Sequence, residues 1–183
     1  SALGEIGKTT QELEQIVESL LSLSRYESGI QKPEPEPVEL SAEVRHEASR
    51  LDGAARARGL TLEFTLPAEV WVQTDAVLAR RLVANLIGNA VCHAPQDSTI
   101  ILHLDADGSF SIENPAPHLT PTDLPHLGER FFRIHSGNGG AHAGLGLSLV
   151  QAIAQILGLR FALDLTGDHR LVARITGFRP LPV

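Results

Sequence analysis

The chain has 183 residues, enough for one globular domain with a modest appendage, and 43% hydrophobic with 20% charged residues excludes intrinsic disorder. A formal net charge of -7 removes the basic footprint that binding to nucleic acid or direct contact with an anionic membrane surface requires. One cysteine, Cys92, excludes an internal disulfide framework and suits a reducing compartment. No apolar run approaches the ~18 residues of a membrane helix, and no signal peptide opens the chain. Methionine is absent even at position 1, as expected of a segment of a longer protein.

Residues 1–29 are predicted as one helix with a coiled-coil seam. Ile6, Leu13 and Leu20 recur every seven residues, Thr9, Ile16 and Leu23 form the interleaved row, and Ser28-Gly29 ends it. A helix packed on its own domain is the alternative. Lys32–Pro37 alternates proline with charge, so 30–37 reads as a linker that forms neither helix nor paired strand. The domain proper then spans 38–183. Ser41 is placed to cap a helix running towards Arg58, with Gly59 as its stop. Thr61–Leu66 and Val70–Gln73 alternate as strands. Asp75 opens a second helix carrying Leu78, Leu82, Leu86 and Ala90 on one face, ending before Pro95. Thr99–Leu104 and Ser109–Glu113 flank a turn at Asp107-Gly108. From Asn114 to about Ala143 only a short piece around Phe131 is periodic, and a loop of that length is usually functional. A third helix runs from near Gly144 to Leu157 with Gly158 as cap, and Arg160–Leu165 and Leu171–Thr176 close the chain as a hairpin. The class is α+β, about three helices over about five strands.

The only lysines, Lys8 and Lys32, precede the domain, which excludes a Walker-type phosphate loop. A nucleotide would be held by metal, backbone N–H groups or arginine. Asn85 and Asn89 are four residues apart on one helical face, with Gly88 between them and His93 a turn further. Three poor helix formers in one turn cost roughly 1–2 kcal/mol against alanine. An asparagine oxygen is a hard neutral ligand for a cation that phosphates already hold. Hydrogen bonding of both side chains to nearby backbone is the structural alternative. Gly144-Leu145-Gly146-Leu147-Ser148 opens the third helix, where free N–H groups and the positive dipole end favour phosphate. Glu129–Arg133 sets two phenylalanines between cations, Arg130 and Arg133, which could reach phosphates; a short helix plugging the core fits as well.

In this order the motifs resemble the ATP-binding catalytic domain of bacterial sensor histidine kinases. Asn85–Ala90 with His93 and Pro95 resembles the N box, and Ile112–Pro117 lies where the first glycine box falls. Glu129–Arg133 is similar to the F box, Gly144–Leu147 to the second glycine box, and Leu20–Arg25 to the second helix of the dimerisation stem. The resemblance implies the Bergerat two-layer α/β sandwich preceded by a stem helix, with ATP and Mg²⁺ as cofactors and a lid over about 115–143. It implies that Asn89 holds Mg²⁺, Asn85 helps at the phosphates and His93 lies against the nucleotide. Asn114 would meet the adenine amino group, and Gly144, Leu145, Gly146 and Leu147 would present backbone to the phosphates with help from Arg130 or Arg133. The phosphoacceptor histidine would precede Ser1, so this chain would bind ATP without phosphorylating itself.

The implied partners are a second copy, through the stem, and the receiver domain of a response regulator. The implied location is cytoplasmic, within a parent anchored in the inner membrane. Asn114 stands where the family has aspartate, and Ala116 and His118 where it has glycines. These departures leave a degenerate, non-catalytic interaction module as the alternative. Another ATPase of the superfamily fits the heptad stem less well.

Overall fold

The computed structural model describes residues 21, 24–26, 28–129 and 145–182. Most of the expected stem helix and positions 130–144 of the loop lie outside the described residues. The elements run β1 (Glu36–Glu39), α1 (Leu40–Arg56), β2 (Thr61–Thr65), β3 (Trp71–Thr74), α2 (Ala76–His93), β4 (Thr99–Leu104) and β5 (Phe110–Pro115). A 3₁₀ turn at Leu124–His126 follows, then α3 (Gly146–Leu157), β6 (Arg160–Leu165), β7 (Arg170–Thr176) and β8 (Arg179–Pro180).

α1 begins two residues earlier than its sequence suggests. The Glu39 carboxylate, not the Ser41 hydroxyl, accepts from the N–H groups of Ser41 and Ala42, and it also accepts from Val70 N at 3.0 Å. A full charge at the positive end of a helix outcompetes a hydroxyl. Ser41 lies inside the helix, its Oγ buried without a partner among the described residues. α1 ends at Arg56, and Gly59 then turns the chain at φ +67°, where a β-carbon would meet Asp97 Oδ1 at 2.0 Å. α2 starts as expected, with Asp75 Oδ1 accepting from Leu78 N at 3.0 Å. Asp75 Oδ2 also accepts from Glu34 N at 3.0 Å, tying the linker to the helix.

The main sheet has the order β2-β4-β5-β7-β6, with β2 and β4 parallel and the other neighbours antiparallel. A smaller antiparallel sheet, β1-β3-β8, was not foreseen. Glu36 and Pro37 pair with Thr74 and Gln73, so the proline-rich stretch does not stay unpaired to its end. The sheet tolerates Pro37 because β1 is an edge strand, where a missing N–H on the open side breaks no ladder bond.

One face of the main sheet is covered by helices. Ile100, Leu102, Phe110, Ile112 and Ile175 point into a layer filled by Leu82, Leu86, Ile87 and Ile153, all at most 2% exposed. Each such side chain contributes about 1.5–3 kcal/mol by leaving water. The result is a two-layer α/β sandwich in which α2 packs on α1, α3 and β5.

Candidate functional site

The apolar stripe of α2 is consumed by the core, which leaves Asn85 and Asn89 half-buried on another face. The two differ. Asn85 Nδ2 donates back to Arg81 O at 2.7 Å, as the structural alternative supposed, which leaves its Oδ1 as the available acceptor. The Asn89 side chain has no hydrogen-bond partner among the described residues. It faces the start of α3, where a β-carbon built on Gly146 would lie 3.6 Å from Asn89 Oδ1 and 3.8 Å from its Cβ.

α3 begins at Gly146, two residues later than the sequence suggests, and Gly144 lies outside the described residues. No side chain among the described residues caps this helix. Leu145 is buried, and its carbonyl accepts from Leu149 N and Ser148 Oγ, both at 2.9 Å. Leu147 is buried as well, so the two leucines anchor the turn, whose first backbone N–H groups have no acceptor within the helix. α1 and α2, by contrast, each begin under a carboxylate.

Asn114 sits near the end of β5, the strand on which α2 packs, paired with Leu171 and only 4% exposed. Its Nδ2 donates to Pro115 O at 3.0 Å, which leaves Oδ1 as the available acceptor. Behind it, on the other side of the sheet, Arg170 pairs with Glu113 and donates to Thr99 O at 3.1 Å, joining β7, β5 and β4. His93 is exposed at the end of α2. The structure thus brings Asn89 and Gly146 together and sets Asn85 one turn away; Arg130 and Arg133 lie outside the described residues.

Two supporting contacts escaped the sequence reading. Arg80 makes a two-pronged bond to Glu43, at 2.9 and 3.0 Å, across the α1–α2 interface. That hydrogen bonding holds the Glu43 carboxyl below its usual range despite partial burial. Arg58, read as the tail of α1, instead binds carbonyls at the end of α2. A cation directly before a helix-stopping glycine was the one available signal.

A mixed sheet under helices, with an uncapped helix start facing an asparagine-bearing helix, is the Bergerat α/β sandwich of ATP-binding proteins. Residues 74–175 match the family of histidine kinase-, DNA gyrase B-, and HSP90-like ATPases, and the chain belongs to that family. The sensor protein QseC of Escherichia coli K12 is 33% identical over 145 residues, covering 79% of this chain and 32% of QseC. The chain therefore spans about a third of the curated relatives it matches. Among solved structures, histidine kinase AdeS of Acinetobacter baumannii superposes with a TM-score of 0.75 at 20% identity, over 94% of this chain and 81% of AdeS. Full-length ShkA in complex with AMPPNP gives 0.76 at 19% identity, over 93% of this chain and 37% of ShkA. Among the described residues, no helix is long and apolar enough to cross a membrane.

Proposed function

We propose that this chain is the catalytic portion of a sensor histidine kinase, transferring the γ-phosphoryl group of ATP to a histidine on the dimerisation stem. The observation that carries the reading is the partnerless Asn89 oxygen beside the uncapped start of α3. A neutral hard oxygen and a set of free N–H groups suit a metal-bound triphosphate. Bound Mg²⁺-ATP would supply the transferable phosphoryl group and much of the charge neutralisation.

The chain's own residues bind and orient. Asn89 would ligate Mg²⁺, with Asn85 Oδ1 one turn away towards the phosphates. Backbone N–H groups of Leu145, Gly146 and Leu147 would hold the triphosphate, joined by Gly144, Arg130 and Arg133 from the loop. Asn114 Oδ1, left free by the bond to Pro115, would accept from the adenine amino group, and His93 would lie against the nucleotide. Rate enhancement would come from positioning and from excluding water beneath the loop. The stem would join two copies, the phosphoryl group would pass to a response regulator, and the parent would be anchored in the inner membrane with this segment in the cytoplasm.

Labelled ATP tests the proposal. The chain is expected to bind it without becoming phosphorylated, and to transfer acid-labile, base-stable label to a supplied stem segment that bears a histidine. Failure to bind ATP contradicts the reading.

A further inference from the structure

The last turn of α2 ends against a cation from another element. Arg58, in the loop after α1, donates from Nη1 to the carbonyls of Val91 and Cys92, the latter at 2.6 Å, and from Nη2 to Ala94 O at 2.7 Å. Its own carbonyl accepts from Asp97 N at 3.2 Å, and Gly59 lies too close to Asp97 to carry a side chain. The loop after α1 and the loop after α2 are interlocked.

The carbonyl end of a helix carries about half a negative charge. Asn89 lies four residues before the end of α2, roughly 6 Å along the axis. A polyanion held at Asn89 and Gly146 would be repelled by that end. Little on the last turns of the helix itself offsets this: from Asn85 to Pro95 there is no lysine or arginine, only His93, and the domain has no lysine at all beyond Lys32. Arg80, near the start of α2, is engaged with Glu43.

We propose that Arg58 is a positioning residue for triphosphate binding. It acts through the last turn of α2, fixing the backbone that carries Cys92 and His93 and cancelling the negative pole one turn from Asn89. The inference rests on the ATP reading above and goes beyond it in assigning the neutralising charge to a residue outside the nucleotide motifs. The role is one of charge, so it must scale with the charge of the ligand.

The test uses the full chain and two variants. Arg58→Lys keeps the charge with fewer donors, whereas Arg58→Gln keeps a donor without the charge. Each is titrated by calorimetry with Mg²⁺-ATP, Mg²⁺-ADP and adenosine, and thermal melts establish that it is folded at the titration temperature. Arg58→Gln is expected to weaken ATP about tenfold, ADP about threefold and adenosine less than about twofold. Arg58→Lys is expected to hold ATP within about threefold of wild type, although both variants melt lower. Equal losses for all three ligands, or Arg58→Lys binding ATP as weakly as Arg58→Gln, overturns the inference and leaves the ATP reading standing. A wild-type chain that binds none of the ligands overturns both. Should Arg58→Gln not fold, a tenfold loss of ATP affinity in Arg58→Lys is enough to overturn the role of Arg58.

Discussion

The two helices that meet at the site begin in opposite ways. α2 starts under Asp75, whose buried carboxylate accepts from Leu78 N and Glu34 N, so its first turn is closed by the protein itself. α3 starts at Gly146 with no capping side chain among the described residues, and the nearest polar group on α2 is the partnerless Asn89. A closed helix start serves stability; under the proposed function, an open one beside a side-chain oxygen with no partner among the described residues receives an anion. Stability and nucleotide binding should therefore separate between the two ends.

The largest effect on stability belongs to the closed end. Asp75→Ala strands two backbone donors and is expected to destabilise the chain by about 2 kcal/mol, with ATP affinity of the folded form changed less than about twofold. Denaturant melts and a titration at low temperature check this, and joint loss of stability and affinity would erase the distinction.

Glycine substitutions sharpen it. A β-carbon at Gly88 meets nothing within 4 Å among the described residues, so Gly88→Ala should stabilise α2 by about 0.5–1 kcal/mol and leave ATP binding alone. At Gly146 the same methyl group touches Asn89 Oδ1. Gly146→Ala should match or raise the wild-type melting temperature yet weaken ATP at least about fivefold. A gain at both sites with unchanged affinity would mean that α3 starts open for no ligand.

The smallest effect concerns the pair that fixes α1 on α2. Hydrogen bonding from Arg80 lowers the folded pKa of Glu43, so the pair's contribution is complete above the ordinary carboxylate range and is lost as pH falls through the lowered value. Arg80→Met should cost about 0.5 kcal/mol at neutral pH, progressively less at an acid pH below the ordinary carboxylate range, and no ATP affinity. Denaturation midpoints at the two pH values decide this.

What the sequence revealed depended on how far each signal reaches. β4 and β6 match their expected ranges, and α2 begins under the foreseen Asp75, because alternation, helical period and an acidic cap are local. Gly158, in the left-handed region at φ 69°, closes α3 as expected for the same reason. Glu39 was missed as the cap of α1 because its carboxylate is also held by Val70, 31 positions away. β1 was missed because only its place at a sheet edge, a tertiary fact, makes Pro37 harmless. Spacing put Asn85 and Asn89 on one face but could not tell them apart, since the bond of Asn85 to Arg81 and the approach of Gly146 to Asn89 appear only in three dimensions.

The most direct measurement is a calorimetric titration of the chain and of Asn89→Ala with ATP, with and without Mg²⁺. Wild type should gain at least about tenfold in affinity from Mg²⁺, and Asn89→Ala should lose that gain. Both should melt at the same temperature, because the Asn89 side chain makes no hydrogen bond among the described residues. An equal Mg²⁺ gain in both proteins, or a variant that unfolds, contradicts the account.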